Sequence, residues 1–238
     1  MMKTTSKRIQ TLLGASAMFF TSSTLMAQDL SITVTNLSQG LYFTPIITSA
    51  HTSDNHIFMS GETATAELQA MAEGGDISGL MSVLSNADAN TNENPAGGLL
   101  APGMSTSYTL TNDSTNTHLS MAAMILPSND GFIGLDSWKI PTEAGTYTIN
   151  INAYDAGTEA NNELINGGGA PGVLGIPAAP GGDSGTNGMG VTDTESNTTV
   201  HIHRGNLGDD ALDGGKSDLD NSIHRWLNPV AKLTITIE

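Results

Sequence analysis

Apolar side chains alternate with hydroxyl or other polar ones in Leu30-Ser-Ile-Thr-Val-Thr-Asn36, and again in Leu233-Thr-Ile-Thr-Ile237 at the end of the chain. A period of two sends successive side chains to opposite faces, so both segments read as half-buried strands. Further β-rich runs fall at Ser107–Thr111, His118–Leu126, Phe132–Ile140, Tyr147–Tyr154 and Thr199–His203, each bounded by Gly, Pro, Asn or Asp. Short strands with polar turns between them predict an all-β fold, an antiparallel β-sandwich.

One stretch breaks the rhythm. Ala64–Glu73 is rich in Ala, Glu, Leu and Met, and after Gly74-Gly75 the residues Ile77, Leu80, Met81 and Leu84 follow helical spacing, with Asp76 placed to cap them. Two short helices are expected on one edge or end of the sandwich.

Residues 1–27 carry Lys3, Lys7 and Arg8 ahead of an apolar stretch from Ile9 to Phe20, then small residues up to Ala27. That is the layout of a secretory signal peptide, and the stretch is shorter than the roughly 20 apolar residues of a membrane span. The expectation is a secreted or periplasmic protein, with one folded domain over residues 29–238 and no integral membrane segment in the mature chain.

The whole chain has 8 basic and 24 acidic residues, and the first 27 hold three of the basic ones and none of the acidic. A mature surface this acidic repels phosphate backbones and anionic lipid heads, which argues against nucleic-acid partners and points to cations. With no cysteine in the sequence, thiol catalysis, thiolate metal sites and disulfide bracing are excluded.

Two acidic turns stand out. Pro127-Ser-Asn-Asp130-Gly follows the run His118–Leu126, and Asp155-Ala-Gly-Thr-Glu159 follows Tyr147–Tyr154, with one further strand between them. In a three-strand antiparallel meander the first and third strands run the same way, so both turns emerge at one end. Asp130, Asp155 and Glu159 then come within reach of one cation. Calcium suits them because it accepts many oxygen ligands in flexible geometry, and Gly157 lets the second turn curl inward. Asn and Asp are also ordinary turn formers, so spacing alone leaves a shared site and two plain turns both open.

The run Met124-Ile-Leu-Pro-Ser-Asn-Asp-Gly-Phe-Ile-Gly-Leu-Asp-Ser-Trp138, followed by Ala153-Tyr-Asp-Ala-Gly-Thr-Glu-Ala160, resembles the spondin N-terminal domain of F-spondin and mindin. In that family a Pro-Ser-Pro-Asp-Trp-Phe-Val-Gly-Val-Asp-Ser run precedes Tyr-Asp-Ala-Gly-Thr-Asp. The segment Thr35–Pro45 and the closing strand look like bacterial members. The resemblance implies a C2-like β-sandwich with calcium held by Asp130, Asp155 and Glu159. Two departures are plain: Asn129-Asp-Gly131 stands where the animal pattern has Pro-Asp-Trp, and Glu159 replaces an Asp. Asp136, inside a strand, is assigned a structural role.

A second constellation is His201-Ile-His203-Arg204, with His224 downstream. In a strand His201 and His203 share a face and could hold zinc or copper, with His224 or an Asp of residues 209–220 as third ligand. The plainer reading is two hydrogen-bonded polar side chains. Residues 209–220 themselves fail an EF-hand pattern at Ala211 and read as a solvated acidic loop. The Gly-rich stretch 167–190 has no Gly-Lys-Ser/Thr, and neither a Gly-x-Ser-x-Gly elbow nor a His-Glu-x-x-His run occurs.

The expectation is therefore a non-enzymatic, calcium-binding module for recognition or adhesion, with an extracellular or cell-surface ligand. The rivals are a structural envelope or matrix component stabilised by calcium, and a periplasmic transition-metal binder using His201 and His203.

Overall fold

The computed structural model describes residues 28–181 and 184–238. The expected signal peptide lies outside the described residues. In chain order the elements are β1 (Leu30–Asn36), β2 (Tyr42–Phe43), β3 (Ile47–His51), α1 (Ala66–Gly74), α2 (Ser78–Asn86), β4 (Asn90–Glu93), β5 (Ser105–Leu110), β6 (His118–Leu126), β7 (Gly131–Lys139), β8 (Gly145–Asp155), β9 (His201–Ile202) and β10 (Ala231–Ile237). The main path of strands is β4-β3-β6-β7-β8-β10-β1-β5, with β2 on β6 and β9 on β8. All of these pairs are antiparallel. The first and last strands of the path, β4 and β5, touch, so the sheet nearly closes on itself as a sandwich-like body.

The alternation of β1 and β10 does what a period of two requires. Leu30, Ile32 and Val34 point inward with Leu233, Ile235 and Ile237, into a core that also takes Met121, Ala123, Ile125 and Ile133. On the outer face hydroxyls pair across strands, Thr33 with Ser107 at 2.8 Å and Thr35 with Ser105 at 2.9 Å.

β6 does not alternate between wet and dry. It is buried on both faces because Ala122, Met124 and Leu126 face outward into a second apolar cluster with Leu68, Met71, Leu80 and Leu84 of the two helices. The helices thus cover a face of the sheet and not an edge or end as expected. Thr65 caps α1 by accepting the N–H of Leu68, and Gly75 closes it in the left-handed conformation. Asp76 accepts the N–H of Ser78 at 2.9 Å, although the cap position itself falls to Ile77.

β6, β7 and β8 form the expected meander, with Met124 opposite Phe132 and Gly131 opposite Asp155. Phe58, Phe132 and Tyr154 stack together beside it, their ring centroids 4.8–5.7 Å apart. This fixes the end of the meander from which both acidic turns leave.

The long connection after β8 is anchored to the body by carboxylates. Glu73 accepts the N–H of Gly172, and Asp218 accepts the N–H groups of Ile165, Thr186 and Gly188. Glu163 accepts those of Leu207 and Gly208 and the hydroxyl of Ser217. The stretch 209–220 is accordingly not a simply solvated loop. Asp218 is buried, and Asp209 accepts three backbone N–H groups, from Ser217, Lys216 and Ala211, which hold its carboxyl below the usual range. Among the described residues no helix is long and apolar enough to cross a membrane.

Candidate metal centre

Asp130 ends the turn after β6, and Asp155 is the last residue of β8. The carbonyl of Asp130 accepts the N–H of Ala156, which joins the two turns by their backbones. Gly157, at φ +68°, then reverses the chain so that Thr158 and Glu159 fold back over Asp130. Its Oδ2 accepts the N–H of Thr158 at 2.9 Å, the hydroxyl of Thr158 at 3.2 Å and the N–H of Glu159 at 3.2 Å. The other oxygen, Oδ1, is buried and has no partner among the described residues.

Asp155 Oδ1 accepts the N–H of Gly157 at 2.9 Å, and Oδ2 accepts the amide of Asn161 at 2.7 Å. Glu159 Oε1 accepts the amide of Asn129 at 2.6 Å and the N–H of Gly175, while its Oε2 is buried without a partner among the described residues. The three carboxyl groups named from the sequence thus lie at one end of the body and are all buried.

Their electrostatics follow from that crowding. Burial, then the charge of Asp155, lifts the Asp130 carboxyl well above the ordinary range, with Glu159 adding to it. Burial also raises Asp155, against the hydrogen bonds from Asn161 and Gly157. Glu159 is pushed up to about 7, again chiefly by burial.

His201 and His203 belong to this same place. Their Nε2 atoms lie 3.8 and 3.9 Å from Asp155 Oδ2. The sequence suggests a separate site with His224 or a loop Asp as third ligand, yet the acid beside the pair is Asp155. Their tautomers differ. His201 donates its Nδ1–H to the carbonyl of Thr199, leaving a lone pair on Nε2. His203 instead accepts the N–H of Gly205 at Nδ1, so in the neutral ring Nε2 carries the proton toward Asp155. Burial holds His203 down at about 3, hence neutral. A nitrogen-ligated ion at Nε2 of both rings would require His203 to give up its bond from Gly205.

Asp136 stands away from this centre and pairs with His56 at 2.9 Å, in keeping with a structural role. Sequence reasoning missed Asn129 and Asn161, whose amides hold Glu159 and Asp155.

Among the described residues no three His, Asp or Glu side chains are drawn together tightly enough to cage a metal as they stand. The donor set nevertheless fits a hard cation. Among the described residues the partnerless atoms at this centre are the carboxylate oxygens Asp130 Oδ1 and Glu159 Oε2 and the ring nitrogen His203 Nε2, the Asp155 oxygens have lone pairs to spare, and three buried acids are costly without a compensating charge. Calcium accepts about six to eight oxygens, including carbonyls and water, without rigid geometry.

Comparison with curated proteins finds no match. The family model described as Spondin_N matches residues 35–163, which is more than half of the chain and includes both acidic turns. The chain belongs to the spondin N-terminal domain family.

Proposed function

We propose that this chain is an exported, non-enzymatic module for recognition or adhesion, in which calcium binds Asp130, Asp155 and Glu159 and orders the loops around them. The family supports an extracellular type of module. The observation that carries the calcium reading is the pair of buried, partnerless carboxylate oxygens, Asp130 Oδ1 and Glu159 Oε2, beside a third buried acid. In low dielectric a free carboxylate oxygen must find a proton or a cation.

The remaining chemistry supports a binding role over a catalytic one. Asp130 Oδ2 is saturated by turn donors. The Ser120–His51 contact, at 2.7 Å, lies sealed in the body with both residues fully buried.

Calorimetric titration of chelator-stripped protein with calcium chloride tests the reading. Wild type should bind one calcium per chain, and Asp155→Asn, folded by circular dichroism, should not. Absence of calcium binding by the wild type would overturn it.

A further inference from the structure

Two hydrogen-bonded routes leave Glu159 toward the long connection, and both pass within one or two bonds of Asn129. Glu159 Oε1 accepts the N–H of Gly175 directly. The Asn129 amide that donates to the same oxygen also donates to Asn162 Oδ1 at 2.9 Å, and Asn129 Oδ1 accepts the N–H of Glu163 at 3.0 Å. Asn129 is 1 % exposed, and its Nδ2 contacts are Glu159 of the second turn and Asn162 just after it.

From Asn162 the chain of bonds continues. Its Oδ1 accepts the N–H of Leu164, and the carbonyl of Leu164 accepts the N–H of Ile176 at 2.7 Å. Residues 164–176 therefore form a strap tied at both ends to one carboxylate system. Its middle is tied elsewhere, where Gly172 donates to Glu73 at the end of α1. Gly175 takes φ +127°, and a Cβ there would overlap Asn166, so the strap's close return to Glu159 requires glycine.

The strap also walls a cavity of about 290 Å³, lined by Asn162, Leu164, Leu174, Met189, Val191 and Asp193. Leu174 and Met189 are exposed at its rim, and the N–H of Val191 is held by the carbonyl of Asn162. Asn162 is a polar side chain of this lining that reaches the acid cluster through a hydrogen bond, by way of Asn129.

We propose that Asn129 is a positioning residue that couples the cation site to the strap 164–176 and its cavity, so that cation binding orders this surface. The inference rests on the calcium reading above. A cation on Glu159 Oε2 fixes the rotamer of the carboxylate, and Oε1 then holds Gly175 and Asn129 in place. Through Asn129 the same event fixes Asn162 and the wall of the cavity. Without the cation Glu159 shares a proton or reorients, and the strap keeps its anchors on Glu73 and Asp218.

Amide hydrogen exchange of the full chain, with calcium and with chelator, tests this. In the wild type, calcium should raise protection of the remaining strap amides at least tenfold, with little change at Ile165 and Gly172, which Asp218 and Glu73 hold, and in β1 and β10. In Asn129→Ala, calcium should still raise the melting temperature while the strap's protection changes less than about threefold. Equal strap protection in the variant and the wild type overturns the role of Asn129. A wild type whose melting rises with calcium while the strap stays unchanged overturns the coupling and leaves the calcium reading standing, and this comparison needs no variant. No melting response in the wild type overturns both.

Discussion

The carbonyl of Asp130 accepts the N–H of Ala156 at 3.2 Å, and this one backbone bond joins two turns that lie a whole strand pair apart in sequence. It places Gly157 where the chain must reverse, at φ +68°, with a Cβ position only 2.7 Å from the carbonyl oxygen of Asn197. Gly157→Ala would combine backbone strain with a steric overlap on main-chain atoms that cannot move aside. We expect a loss of about 2 kcal/mol or more, measured by urea denaturation, together with weaker calcium binding. An unchanged midpoint would show that the turn does not need its glycine.

The pH dependence of the calcium effect has a definite sign. Asp130, Asp155 and Glu159 have raised pKa values in the metal-free fold, Glu159 at about 7. A raised pKa means that the fold takes up protons, so the stability these groups lend is fully present below their unfolded values and is lost as pH rises through the folded ones. Calcium competes with those protons. Its effect on melting temperature should be small at pH 5 and should grow through the range up to pH 8. A calcium effect that shrinks over that range would contradict the assignment of these acids.

Asp218 tests the claim that acids of the 209–220 stretch organise the fold. Replacing it with Asn turns one acceptor oxygen into a donor facing the N–H of Ile165 or those of Thr186 and Gly188. The expected cost is about 1–3 kcal/mol. Hydrogen exchange should quicken at residues 184–190 while the melting response to calcium persists. Loss of that response would place Asp218 in the metal centre instead.

Much of this fold is legible because burial leaves a period in the sequence. β1 and β10 show it directly, and His118–Leu126 stands out as an apolar run because it is covered on both faces. β3 leaves no such trace: Ile47-Thr-Ser-Ala-His51 is buried throughout, and its polar members are satisfied by Tyr108, Thr91 and Ser120. β4, Asn-Thr-Asn-Glu, has weak strand formers at three of its four positions and is held by its pairing with β3.

The candidate site is legible to the same limit. The two turns and the direction of a meander put the three acids at one end, and the choice of these three as a set comes from the family resemblance. What could not be read was contact between distant segments. His201 and His203 reach Asp155 only because β9 pairs with β8. Asp218 and Glu163 capture backbone N–H groups, and such captures have no sequence period.

Thermal unfolding of the wild type and of Asp130→Asn, each in calcium and in chelator, tests the central claim most directly. At calcium about a hundredfold above its dissociation constant the wild type should gain about 2.7 kcal/mol, or roughly 5–10 °C. Asp130→Asn keeps the shape of the side chain and should melt within a few degrees of the metal-free wild type whether calcium is present or not. A wild type indifferent to calcium, or a variant that responds as the wild type does, would contradict the account.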